Sequence, residues 1–121
     1  MDTTEIKKIL QIYFDASFES SEGKMAQVFH DAAHIYGHSQ DGNLSDTPKE
    51  AFVKMVGRKP VNQPPYPRED EILSIDFTGE NTAVARVKIR VNNTMFTDIL
   101  SFIKIDGKWS VIAKLYSGVQ A

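Results

Sequence analysis

Apolar residues recur at helical spacing near the start of the chain and at every second position from about residue 70 onward, so the pattern passes from helix to sheet along its length. Residues 3–19 read as an amphipathic helix. Ile6, Ile9, Leu10, Tyr13, Phe14 and Phe18 form one stripe, with Lys7, Lys8, Gln11, Asp15 and Glu19 opposite. Asp2 or Thr3 can cap it, with Glu5 in the first turn. Ser20-Ser21-Glu22 opens a shorter helix through about Phe29, with Met25, Val28 and Phe29 inward. A first strand is predicted over 33–38, turned by Asp41-Gly42-Asn43. A third helix then begins with Thr47 as N-cap, Pro48 at the first helical position and Glu50 closing a capping box. Phe52, Met55 and Val56 form its inner stripe, and Gly57 ends it.

Pro60, Pro64, Pro65 and Pro67 make 58–70 an extended connecting loop, with Tyr66 its aromatic residue and a lid over a pocket mouth its functional alternative. Glu71–Phe77 is a strand leading to Gly79-Glu80-Asn81. Ala83, Ala85, Val87, Ile89 and Val91 then alternate with Arg86, Lys88 and Arg90, which predicts one buried and one wet face. Asn92-Asn93 turns into a strand over Met95–Ile105, and Asp106-Gly107 into one over 109–117. Helices first and an antiparallel meander after make an α+β domain. The last two strands are apolar on both faces, since Phe96, Leu100 and Phe102 share one parity and Ile99, Ile103 and Ile105 the other. One face packs on the helices, so the other needs a second cover, most simply another copy of the chain.

Composition narrows the function classes. A chain of 121 residues is one domain, 1–121, with an ordinary 41% hydrophobic and 25% charged residues. The net charge of −2 predicts no nucleic-acid or membrane partner. Without cysteine there is no disulfide, thiolate chemistry or cysteine-held zinc. The first residues lack a signal peptide's basic and apolar regions, and no apolar run approaches ~20 residues, so a cytoplasmic protein is expected.

Two charges break the apolar pattern. Asp98 interrupts Thr94–Phe102, and Lys114 interrupts Val111–Tyr116. A carboxylate there is costly to desolvate unless something pairs with it or uses it. If Asp106-Gly107 is a two-residue turn, Ile105 pairs with Lys108, Asp98 sits opposite Leu115, and Lys114 lies on the other face. If Ile105-Asp106-Gly107 is a three-residue loop with a glycine bulge, Asp98 faces Lys114, Phe96 faces Tyr116 and Leu100 faces Ile112. The second register is preferred, because it neutralises both charges at once.

Phe29-His30-Asp31-Ala32-Ala33, Asp41-Gly42, Asp70–Asp76, Ala83–Val87, Phe96-Thr97-Asp98 and Lys104–Trp109 fall in the order of a known pattern. Together they resemble the "putative lumazine-binding" branch of the nuclear transport factor 2-like superfamily, over nearly the whole chain. The resemblance implies a cystatin-like cone, in which a curved antiparallel sheet wraps around the N-terminal helix and leaves a pocket at its open end. It implies homodimers through the convex sheet face. The superfamily includes SnoaL-like proteins, ketosteroid isomerases, polyketide cyclases and dehydratases, together with members of no known activity.

Within such a cone Asp98 is the leading functional residue, as an acid or as an acceptor for a ligand N–H, against the alternative of a structural ion pair with Lys114. A lysine that forms Schiff bases needs a desolvated amine, and Asp98 beside Lys114 argues for a charged one. Tyr13 projects from the inner stripe of the first helix. With Asp98 it resembles in type the tyrosine and protonated aspartate of the ketosteroid isomerase oxyanion hole. No carboxylate stands as a general base on the first strand, so His34 or His38 would serve. The catalytic candidates are therefore Asp98, Tyr13 and His34. The expected pocket adds Phe29, Tyr36, Phe52 and Met55 from the first half, and Phe96, Lys114 and Tyr116 from the second. His34, Tyr36 and His38 share one strand face, with the two histidines ~13 Å apart, too far to hold one ion. His30 reads as a local hydrogen-bonding residue. No metal or cofactor is expected. The favoured reading is a homodimeric small-molecule-binding domain; the alternative is an isomerase, cyclase or dehydratase using Asp98, Tyr13 and a histidine. A cone plugged by its own side chains would sink both.

Overall fold

The computed structural model describes residues 2–61 and 66–120. Among them run helix α1 (Thr4–Glu19), helix α2 (Glu22–Val28), strand β1 (Phe29–His38), strand β2 (Leu44–Pro48), helix α3 (Lys49–Arg58) and strands β3 (Asp70–Thr78), β4 (Thr82–Val91), β5 (Thr94–Ile105) and β6 (Lys108–Gln120). The strands form one curved sheet in the order β2-β1-β6-β5-β4-β3, and the helices lie in its concavity as an α+β cone. The described pairings are antiparallel except β1 against β6, which run parallel. No described helix is long and apolar enough to cross a membrane.

Local chemistry sets the helix ends. The Asp2 carboxylate accepts the Thr4 backbone N–H at 2.9 Å and its hydroxyl at 2.6 Å, satisfying donors at the start of α1. Ser20 ends that helix at φ 55°, and the Ser21 N–H bonds back to the Ala16 carbonyl at 2.9 Å. The Ser21 hydroxyl then accepts the Lys24 N–H at 3.1 Å and caps α2. Ile6, Leu10 and Tyr13 from α1 meet Val87, Leu100 and Val111 from the sheet, all at or near zero exposure. Each such side chain contributes about 1.5–3 kcal/mol of transfer free energy.

The start of α3 corrects the sequence reading. Thr47 is not its cap: it pairs with Ile35 inside β2, and Pro48, still extended, leads directly into the helix with no side-chain cap. The helix also runs past Gly57 to Arg58. Of the loop predicted over 58–70, residues 62–65, with Pro64 and Pro65, lie outside the described residues. Beyond them Arg68 ties the chain to α1, donating to Asp15 at 2.6 Å with its guanidinium 4.8 Å from the Phe18 ring.

The β5–β6 hairpin fits neither predicted register. Ile105 pairs with Lys108, and Asp106 and Gly107 both take positive φ, 51° and 76°, so the turn has two residues rather than the preferred three. Yet Ser101 pairs with Ala113 while Phe102 pairs with Val111, which leaves Ile112 as one extra residue on β6. That bulge shifts the register, so Asp98 lies opposite Tyr116 and Leu100 opposite Lys114. Asp98 and Lys114 thus share the inner face as diagonal neighbours instead of facing each other directly.

Candidate functional site

A cavity of about 360 Å³ lies between α1, α3 and the inner face of the sheet. Met25, Ile35, Val56 and Ile89 supply much of its apolar wall. Into it project Tyr13 from the buried stripe of α1, Phe52 from α3, Phe96 and Asp98 from β5, and Lys114 and Tyr116 from β6. Two glycines make room for the aromatic wall. A Cβ on Gly37 would come within 2.5 Å of the Tyr116 ring, and one on Gly118 within 2.7 Å of the Phe96 ring. Those two rings meet edge to face, 6.0 Å apart.

The polar centre is buried. Asp98 has no exposed surface, and its Oδ2 accepts the Tyr13 phenol proton at 2.5 Å. Its Oδ1 has no hydrogen-bond partner among the described residues. Lys114 Nζ stands 3.9 Å from Oδ2, an ion pair too open for a hydrogen bond. The amine instead sits among three aromatic rings, 4.8 Å from the centroid of Phe52, 5.2 Å from Tyr13 and 5.7 Å from Tyr116. Burial pulls the Lys114 amine below its ordinary value of 10.5, against the opposing pull of the Asp98 charge. Burial also pushes the Tyr13 phenol well above 10.0, helped by the nearby Asp98 charge, so the phenol stays a proton donor.

Among the described residues this arrangement offers an apolar guest three kinds of polar contact: an unpaired carboxylate oxygen, an amine without a hydrogen bond, and a phenol already engaged. Tyr13 gives its proton to Asp98, so the two do not present parallel donors to a third oxygen. A polar rim was not foreseen. Lys59 borders the cavity and donates to the Ser17 carbonyl at 2.7 Å and to the Ser20 hydroxyl at 2.9 Å, with its pKa lowered by burial. Ser45 and Thr47 reach the cavity from β2, a strand whose sequence carries no apolar alternation.

The predicted residues divide clearly. Tyr13, Phe52, Met55, Phe96, Asp98, Lys114 and Tyr116 border the cavity. Phe29 does not: it is buried behind the wall, edge-on to Phe52 at 5.4 Å and to Tyr13 at 6.4 Å. Tyr36 and His34 lie on the opposite face of β1, because Ile35 and Gly37 take the inward positions. There His34 stacks on Tyr36 with ring centroids 6.0 Å apart, and its Nδ1 lies 2.6 Å from the Asp46 carboxylate. His34 therefore cannot reach a guest in the cavity, and His38 ends the strand in an exposed position. His30 Nδ1 accepts the Ala32 N–H at 3.0 Å, a local turn contact. Tyr66 lies away from the cavity wall, beside the Arg90 guanidinium at 5.7 Å. Among the described residues no group of three or more His, Asp or Glu is placed to hold a metal ion.

Comparisons with known proteins agree with this architecture. The sequence pattern of the family described as "Putative lumazine-binding" matches residues 1–117. A curated protein, "Aldolase FrzH" from Cladobotryum sp, is 26% identical over 106 residues, which span 86% of this chain and 81% of that protein. A solved NTF2-like protein of unknown function from Shewanella baltica superposes with a TM-score of 0.87 at 25% identity, covering 98% of this chain and 94% of the other. A ketosteroid isomerase-like protein from Erwinia carotovora atroseptica shares the fold at a TM-score of 0.73, with 12% identity and coverage of 98% and 96%.

Proposed function

The chain belongs to the family described as "Putative lumazine-binding", within the NTF2-like superfamily, and from that premise we propose that its cone is a binding chamber for a small, largely apolar molecule carrying one carbonyl or comparable polar group. The observation that carries this reading is the Asp98–Tyr13–Lys114 centre, buried and incompletely hydrogen-bonded beside an otherwise apolar cavity. Fully buried polar groups are costly unless satisfied: a guest's carbonyl would accept from the Lys114 amine, and an N–H or O–H on the guest would donate to Asp98 Oδ1. Native mass spectrometry of the purified protein, with lumazine and simple aromatic carbonyl compounds as probes, tests it directly. Retention of a small molecule by the native chain, lost on Phe52→Ala, is expected; a chamber that takes up none of these probes sinks the reading.

The outer sheet face supports a second copy as partner. Ile99 and Leu115 pair across β5 and β6 there, 40% and 47% exposed, with Val119 further along at 65%. Homodimerisation through this convex face covers them.

A second reading is catalysis on a carbonyl substrate, favoured by the relative named as an aldolase. The isomerase, cyclase or dehydratase version that uses a histidine base loses its support, since His34 is on the far face of β1. Proton movement in the cone then falls to Asp98, with Tyr13 holding its Oδ2.

A further inference from the structure

We propose that Lys114 is a nucleophilic amine, which captures an aldehyde or ketone in the cone as a covalent imine, with Asp98 carrying the protons. The inference rests on the cone being a ligand chamber and adds the chemistry done there.

The geometry differs from that of a structural ion pair. Lysines elsewhere in this molecule close on their carboxylates, Lys24 on Glu19 at 2.7 Å and Lys49 on Asp31 at 2.9 Å, both with exposed carboxylates. In a dry site the attraction is stronger and the contact should tighten. Lys114 nevertheless stands off at 3.9 Å, while Asp98 Oδ2 takes the Tyr13 proton at 2.5 Å. No hydrogen bond holds Nζ among the described residues, so its lone pair or protons remain available at the cavity wall. Lys59, the other lysine on that wall, is held by two hydrogen bonds. Burial also favours the uncharged, nucleophilic form of the Lys114 amine.

The surroundings fit the product as well. Nucleophilic attack by neutral Nζ on a carbonyl carbon forms the C–N bond and moves the C=O π pair onto oxygen. Asp98 accepts a proton from nitrogen and returns it to oxygen, giving a carbinolamine. Protonation of that hydroxyl and loss of water leave an iminium; overall, amine, carbonyl compound and one proton yield iminium and water. The iminium is a cation set among the rings of Phe52, Tyr13 and Tyr116 with the Asp98 carboxylate as counter-charge. Transfer of an α-proton from the iminium to that carboxylate would give an enamine, the carbon nucleophile that aldol addition requires. The Ile112 bulge supports this use of β6, since bulges re-aim side chains beside active sites.

The test uses the intact chain with benzaldehyde and cyanoborohydride, followed by intact mass and peptide mapping; benzyl alcohol, of similar shape without the carbonyl, reports occupancy by saturation-transfer NMR. One reduced benzyl adduct on Lys114, formed at least about tenfold faster than on the exposed lysines, is the expected result. Adducts spread over surface lysines, or placed on Lys59, overturn the proposal. Benzyl alcohol bound without an adduct on Lys114 also overturns it while leaving the chamber intact. Failure of both probes to enter removes the chamber and the imine together. Lys114→Arg keeps the charge without a nucleophilic amine, so the adduct at this position should vanish. The wild-type peptide map decides the matter even if that variant does not fold.

Discussion

Strand β4 and the β5–β6 hairpin lie side by side in one sheet, yet they distribute charge in opposite ways. On β4 the inward residues are Ala83, Ala85, Val87 and Ile89, all buried, while Arg86 and Lys88 face water. That is the usual division of a sheet with one wet face. On the hairpin the inward set contains Asp98 and Lys114, almost fully buried, and the outward set includes Ile99, Leu115 and Val119, substantially exposed. Both departures cost stability for a lone folded chain: one desolvates ions and the other hydrates oil. A strand that merely closes a core has reason for neither. On the proposed function, the hairpin is where the molecule would meet something else, a small guest within the cone and a second copy outside it.

Removing the inner carboxylate tests the first half of that contrast with the largest expected effect. Asp98→Ala leaves the buried Lys114 amine without its carboxylate neighbour and the Tyr13 hydroxyl without its acceptor, and should cost about 3–5 kcal/mol in urea denaturation. Arg86→Ala, on the wet face of β4, should stay within about 0.5 kcal/mol. If both variants fall within that smaller range, the buried charges do no more than surface ones and the contrast between the strands collapses.

The sequence made this contrast legible in part. Alternation on β4 placed every side chain on its correct face, and the interruptions at Asp98 and Lys114 marked the inner charges. The register did not follow from turn chemistry, because the shift comes from Ile112 and not from Asp106-Gly107. Val111, Ile112 and Ala113 are all apolar, so neither parity is marked and an extra residue leaves no trace in the pattern. Strand β2 was equally silent: Leu44–Pro48 pairs through its backbone at the sheet edge and carries little apolar signal. That strand also explains the misplaced helix cap, since Thr47-Pro48-Lys49-Glu50 satisfies a capping box as a string while the Thr47 backbone belongs to the β1 ladder. For His34 and Tyr36, alternation showed a shared face without saying which face it was.

Alkaline titration sharpens the same contrast with a smaller effect. The folded Lys114 amine has a pKa below its unfolded value of 10.5, so the unfolded chain binds more protons between the two values. Stability contributed by this group therefore rises with pH through that window, by at most about 1.4 kcal/mol per pH unit. Tyr13 acts in the opposite sense above 10.0, where the unfolded phenol ionises first and stability falls. Lys59 adds only a shallow slope, because it is part-buried and solvent still screens it. Denaturation between pH 7 and about 10 should show the rise in the native chain and a flatter curve in Lys114→Met. Lys88→Met on β4 should leave the rise unchanged, and an equal slope in all three proteins would mean that the inner lysine is not desolvated.

The outer half of the contrast is tested by placing on the hairpin what β4 already carries. Leu115 pairs with Ile99 on one side and with Tyr36 on the other, at the centre of the exposed apolar face. Leu115→Glu should change the stability of the isolated chain little, within about 0.5 kcal/mol, because the side chain is half exposed there. Its effect belongs to assembly: two copies would each bring a carboxylate into a desolvated interface, which costs far more than the leucine contributes to one chain. Light scattering should find the native chain at twice the mass of the variant. The native melting point should rise with protein concentration, by mass action, while that of the variant stays fixed. A native chain that is already monomeric, with a concentration-independent transition, would leave the exposed leucine and isoleucine without a partner and confine the hairpin's purpose to the cone.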